Sequence, residues 1–123
     1  MAYQITREKY GAYTQYCGFV TRDVFFQSVF DNLGDPNFDR WRYCIKDFLD
    51  VTAHSVDLAD VELMGAYGLG AEFTNPNIKI AIVTADQGIR DLVAGFTTLT
   101  HYPLDFFTSV ADARIWVTEG VRA

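Results

Sequence analysis

An α/β domain with a mixed, mostly parallel sheet and packed helices is the fold class this sequence predicts. Three observations carry that expectation. An N-terminal hairpin opens the chain, four short apolar runs are each followed by a helix-like segment with its own start signal, and Ile78–Val83 is almost continuously apolar. A run of that last kind belongs to a central parallel strand covered on both faces.

The elements follow in order. Tyr3 to Arg7 and Tyr10 to Val20 flank Glu8-Lys9, with Gly11 close behind, and read as an antiparallel hairpin. Thr21 offers a capping oxygen to the first helix, and Asp23 places a negative charge in its first turn. That helix is expected to run to about Leu33, burying Phe25, Phe26, Val29, Phe30 and Leu33 on one broad face, until Gly34 and Asp35-Pro36 end it. A loop anchored by Phe38 and Trp41 leads to the strand Tyr43–Phe48. Ser55 is the expected N-cap of the second helix, with Asp57 and Asp60 in or near the first turn and Leu58, Val61, Met64, Gly65 and Gly68 on one face. Gly65, Ala66, Gly68, Gly70 and Ala71 make this helix rich in small residues, which implies close packing against the sheet or an early, loosened end. Asn75-Pro76-Asn77 is a turn. After the strand Ile78–Val83, Asp86 opens a third helix in which Ile89, Leu92, Val93, Phe96 and Leu99 keep helical spacing. Pro103 introduces the last strand, Leu104–Thr108, and Ser109 with Asp112 caps a final helix that buries Ala113, Trp116 and Val117. No linker, repeat or low-complexity tract interrupts residues 1–123, which are expected to form one domain.

Composition narrows the function classes. Half of the 123 residues are apolar and 15% are aromatic, ten of them Phe, which excludes disorder. Sixteen acidic residues against ten basic ones give a net charge of −6. That repels a phosphate backbone and argues against nucleic-acid binding, since the basic pair in a strand-like context, Arg40 and Arg42 around Trp41, is diluted by Asp39 and Asp47. No apolar run approaches the roughly 20 residues needed to cross a bilayer, and MAYQITREKYG lacks the apolar middle of a secretion signal. A cytoplasmic protein is expected. Cys17 and Cys44 fall inside strands and read as small buried hydrophobes with free thiols.

The order of elements, the segment Asp47-Phe48-Leu49-Asp50-Val51-Thr52 leading to a helix near Ser55, the strand IKIAIVT and the closing Ala113-Arg114-Ile115-Trp116 together resemble the SpoIIAA-like proteins of the STAS superfamily. That group includes the bacterial anti-sigma-factor antagonists. The resemblance covers nearly the whole chain and implies an N-terminal hairpin followed by βαβαβα. It also implies a non-enzymatic regulatory or interaction domain. In the antagonists, a serine preceded by an aspartate at the start of the helix after the third strand is a phosphorylation switch. The matching stretch here is Thr52-Ala53-His54-Ser55-Val56-Asp57, which keeps the hydroxyl at Ser55 and lacks the Asp-Ser pair. Ser55 is thus read as a helix cap first and as a phosphate acceptor second; Asp50, Asp57 and Asp60 would repel a phosphate there.

In open α/β sheets, ligands gather beyond the carboxyl ends of the parallel strands. That rule selects a binding rim made of Asp47, Asp50, His54, Ser55, Thr84, Asp86 and Thr108, open to a partner protein or a small ligand, with acidic Asp50, Asp57 and Asp60 steering a basic partner. Two further readings stand beside it. Phe25, Phe26, Phe30, Phe38 and Trp41 exceed what one helix face needs, so besides filling the core they can form a homodimer contact or an apolar pocket for a lipid-like molecule beneath the first helix. His54 with Asp47 or Asp50 is the pairing a small hydrolase or isomerase would use. His101 follows a helix end and suits the helix dipole. Two separated histidines and strand-borne cysteines leave zinc without ligands, and Asp47, Asp50, Asp57 and Asp60 lack calcium-loop spacing, so neither metal nor cofactor is expected. The Gly65–Gly70 stretch lies within a helix and cannot cradle phosphate.

Overall fold

Backbone hydrogen bonds gather five strands into one sheet of order β1-β2-β3-β4-β5: β1 (Tyr3–Glu8), β2 (Gly11–Val20), β3 (Tyr43–His54), β4 (Lys79–Val83) and β5 (Leu104–Phe107). The structure is a computed structural model and describes residues 2–119. β1 is antiparallel to β2, and β2 through β5 run parallel. The helices are α1 (Arg22–Leu33), α2 (Leu58–Ala71), α3 (Gln87–Val93), which tightens into a 3₁₀ segment over Ala94–Thr98, and α4 (Val110–Thr118). This is the mixed, mostly parallel sheet that the alternation of apolar runs implies.

Strand alternation sorts the core into two layers. Tyr16, Cys44, Phe48, Ile80 and Ile82 face α1, α2 and α3, whereas Tyr43, Ile45, Ala81 and Val83 face α4, which seats Ala113 and Val117 on them. Tyr16 stacks on Phe48 with centroids 4.6 Å apart and planes 7° from parallel. The anchors Phe38 and Trp41 are buried as their loop position implies, and the Asn75 turn pins them: Asn75 Nδ2 donates to the carbonyls of Phe38 and Trp41, both at 2.7 Å. In α2 the small residues serve close packing. A Cβ on Gly65 would lie 2.7 Å from the Phe96 carbonyl oxygen, and one on Gly68 would lie 2.8 Å from the Phe96 ring.

Five expectations are corrected. β3 does not end at Phe48 but continues to His54, because β2 pairs with it all the way while β4 stops opposite Asp47. Its last residues therefore form a two-stranded ribbon projecting past the sheet, not a loop. Register shifts between Gln15 and Cys17 and between Gly18 and Phe19, with Gly18 at φ 67°, break the alternation of β2 and turn Cys17 out to solvent. Cys44 alone is buried; both thiols are free. The N-cap of α2 is Asp57, not Ser55: Asp57 accepts from Asp60 N while Asp60 accepts from Asp57 N, a reciprocal box that a serine two residues earlier cannot reach. In α1 the most buried residues are Ser28 and Asn32, whereas Phe30 is exposed. Leu99 lies beyond the 3₁₀ segment and is exposed, so its helical spacing buries nothing.

Candidate functional site

The parallel strands do bring the carboxyl-end residues to one edge of the sheet, but most of their polar atoms are already engaged locally. Thr84 Oγ1 accepts from Asp86 N at 3.1 Å, and Asp86 in turn caps α3 by accepting from Gly88 and Ile89. Ser55 Oγ accepts from Arg22 N at 3.0 Å, and so closes the start of α1. His54 Nδ1 accepts from Val56 N at 3.2 Å. Asp50 takes a side-chain hydrogen bond from Gln15 Nε2, and Thr108 is exposed at the end of β5. Asp47 is buried on the α4 side, where it accepts from the Tyr13 hydroxyl at 2.5 Å and from Leu49 N at 3.0 Å. Burial, and then that bond to Asp47, push the Tyr13 pKa upward.

The His–Asp pairing is not assembled. At about 3.3 Å per residue, His54 stands roughly 23 Å along β3 from Asp47 and roughly 13 Å from Asp50, and it makes no bond to either. Asp60, expected to act as a free acidic group, is buried and receives Arg22 Nε at 2.7 Å. Burial pushes its carboxyl up, but the Asp57 backbone N–H and the Arg22 guanidinium outweigh that and leave it below the usual carboxylate range.

A second locus lies between α1, α2 and the sheet. There a cavity of about 80 Å³ is walled by Phe25 and Val29 of α1, Met64 of α2, Ile80 and Ile82 of β4, and Phe96. A smaller cavity of about 30 Å³ adjoins it toward the strand ends, sharing Phe25, Phe48 and Val93, with His54 at its margin. Cys44 also lines the larger cavity, and burial pushes its thiol up to about 11, so it stays protonated and unreactive at neutral pH.

Asn32 and Lys46 are also among the residues lining this cavity, whose wall is apolar almost throughout, and sequence reasoning missed both. Asn32 is 4% exposed; its Nδ2 donates to Thr14 Oγ1 at 3.3 Å, and its Oδ1 has no partner. An unsatisfied buried polar atom costs about 1–3 kcal/mol. Lys46, half-buried, lines the same cavity and makes no hydrogen bond or ion pair among the described residues. A signal for Lys46 was present in the sequence: in Tyr43-Cys44-Ile45-Lys46-Asp47-Phe48 the lysine shares strand parity with Cys44 and Phe48, the core-facing set. Asn32 likewise falls with Phe25, Ser28, Val29 and Leu33 at helical spacing on the inward face of α1.

The opposite face carries a different polar arrangement. Arg114 of α4 grips Glu8 at the end of β1 through two bonds of 2.9 and 2.8 Å, and Tyr43 donates to the same carboxylate at 2.5 Å. The Arg114 bonds hold the Glu8 carboxyl below its ordinary range, against the opposing effect of burial. Every member of this set has a partner, and it ties α4 to the sheet. No helix among the described residues is long and apolar enough to cross a membrane.

The chain matches no family model and no curated protein. Among solved structures it is similar to an uncharacterised protein of the DUF3478 family with a SpoIIAA-like fold from Shewanella loihica PV-4. The TM-score is 0.57 at 18% identity, over 94% of this chain and 92% of that one. The fold is SpoIIAA-like, as the sequence resemblance implied, and at that identity the likeness speaks for fold alone.

Proposed function

We propose that this domain is a non-enzymatic binding protein for an apolar small molecule, held in the cavity between α1, α2 and the sheet. One observation carries the reading: the core leaves an apolar void of about 80 Å³ although ten Phe residues were available to fill it. Protein interiors pack like organic crystals, and an unfilled void forfeits dispersion contacts along its whole wall. An apolar occupant restores them. The protonated Cys44 thiol and the unassembled His54 pairing leave no activated nucleophile or base beside the void, so binding, not turnover, fits the chemistry. Native mass spectrometry of the purified protein tests this. The expected result is a mass excess that Val29→Phe, which fills the void, removes. A bare-chain mass, with methyl resonances of Ile80 and Ile82 unmoved by butan-1-ol, would overturn it.

A second reading is favoured by the projecting β2–β3 ribbon, where Phe19 is 55% and Leu49 43% exposed beside Asp50. These side chains offer a protein partner with a basic rim a small apolar contact steered by charge. The charge reversal that tests it belongs at Asp23 and Asp50. Reversing Asp57 and Asp60 would break the α2 cap and confound the result. A pull-down undiminished by reversal at Asp23 and Asp50 would remove this reading.

A further inference from the structure

We infer that the outer seam of α1 and α2 docks an amphipathic helix of a partner protein, and that a basic residue of that helix seats at the end of the seam beside Asp39. This surface is separate from the interior cavity and from the strand-end rim. At the carboxyl ends of the two helices lies an open groove of about 450 Å³, walled by Leu33 and Pro36 at the end of α1 and by Ala66, Tyr67 and Gly70 of α2. Apolar surface continues from the groove along the seam. Tyr67 meets the Phe30 ring edge to face at 5.1 Å, and Leu63 stands one turn before Tyr67 on α2. Phe30, Leu63 and Tyr67 are 40%, 44% and 45% exposed. α2 carries no charge between Glu62 and Glu72, so it is apolar on the side it buries, through Val61, Met64 and Gly68, and on the side it leaves open. A helix apolar all round belongs in an interior, and a contiguous exposed apolar patch marks a place of association.

Charge identifies the occupant. The groove lining holds two carboxylates, Asp35 and Asp39, and no lysine or arginine. Asp35 is answered by Arg7 and by the Asn37 backbone N–H. Asp39 is exposed and makes no hydrogen bond or ion pair among the described residues. Both helices end at the groove and neither has a basic residue in its last turn, so each leaves about half a negative charge there. Two helix ends and a free carboxylate call for a cation, and the Tyr67 ring lines the same space, where it suits a guanidinium. A second copy of the chain does not supply that cation from this face. Arg22 is the one basic residue of α1 and α2, and it is bound to Asp60 and laid over the Phe26 ring. At 1.5 Å per residue the seam from Leu63 to Gly70 is about 10 Å long, two helical turns, which is the reach of apolar anchors at i, i+4 and i+7 of a docked helix.

The experiment follows the backbone amides of Asp39, Ala66 and Gly70 in the full chain by NMR while a designed peptide is added. The peptide is a helix former of about 14 residues with leucines at i, i+4 and i+7 and an arginine one turn further on, and its control carries glutamine in place of the arginine. The arginine peptide is expected to bind about fivefold more tightly at low salt, the upper range for an exposed ion pair, and to lose that advantage as salt is added. Asp39→Asn should erase the preference and keep the weaker binding. Ala66→Lys, which sets a charge and a longer side chain into the groove, should abolish binding of both peptides. Equal affinity of the two peptides for the native protein, or a preference that survives in Asp39→Asn, would overturn the proposal, as would amides unmoved by either peptide. Sedimentation equilibrium showing a dimer that Ala66→Lys dissociates would give the face to a second copy and overturn it as well.

Discussion

The strand-end rim and the cavity under α1 both set polar side chains against apolar ones, and they differ in what those polar atoms do. At the rim, Thr84, Asp86, Ser55, His54 and Asp47 each accept a backbone N–H close by in the fold. Beside the cavity, Asn32 Oδ1 and Lys46 have no hydrogen-bond or ion-pair partner among the described residues. Position beyond the parallel strands marks where a ligand can be placed in this kind of sheet. Satisfaction of hydrogen bonds tells which polar residues the fold has already used. By that second criterion the rim is scaffold, and the cavity is where something is missing.

The broadest way to sharpen the contrast is acid. Glu8, Asp35 and Asp60 all have carboxyls held below their unfolded values, each by an arginine or backbone donor working against burial. A depressed folded pKa gives stability that is present above the unfolded value of about 4 and disappears as pH falls through it toward the folded one. Urea midpoints are therefore expected to be flat from neutral pH down to about 5 and then to drop steeply, with Glu8→Gln removing part of the drop.

Single substitutions follow in decreasing size. Gly65→Leu must displace the Phe96 backbone that closes the cavity and should cost about 3 kcal/mol, whereas Gly70→Ala, with open space around it, should gain up to about 1 kcal/mol. Asp60→Asn weakens the α2 capping box and the Arg22 ion pair and should cost about 2 kcal/mol. Asp86→Ala removes the α3 cap at the rim and should cost about 1 kcal/mol. Asn32→Leu, although it alters one of the most buried side chains in α1, should stay within about 1 kcal/mol of the native protein, because it removes an unsatisfied atom together with its weak bond to Thr14. Chemical denaturation checks all five, and an Asn32→Leu loss larger than that of Asp60→Asn would break the contrast between the two regions.

The fold was legible because its signals are regular: the IKIAIV run, the capping residues Thr21, Asp86 and Ser109, and the Asn75 turn all act over a few residues. What stayed hidden depended on partners distant in sequence. The polar alternation of Asp50-Val51-Thr52-Ala53-His54 reads as a loop until β2 is known to run beside it to Val20. Two aspartates and a serine compete to cap α2, and only three-dimensional reciprocity selects Asp57. Counting apolar residues in α1 placed Phe26 and Phe30 inward, while the true inward stripe runs Phe25, Ser28, Val29, Asn32 and Leu33. Its centre is polar because Tyr16 and Thr14 stand ready to bond it. The sequence points to an apolar pocket beneath the first helix, and what it leaves out, for the same reason, is the pair of polar residues at its wall. Strand parity groups Lys46 with Cys44 and Phe48, and helical spacing groups Asn32 with Phe25 and Val29, yet by residue type both read as surface until the helix is laid on the sheet.

The most direct measurement sets the two regions against each other in one experiment. Butan-1-ol is titrated against Val29→Phe, which fills the cavity, and against the double variant Asp50→Asn/His54→Ala, which strips the rim. The first should lose binding and the second should keep it within about twofold of native, a difference too small to reflect a lost contact. Binding abolished by the rim variant and untouched by Val29→Phe would contradict the assignment of the cavity as the functional site.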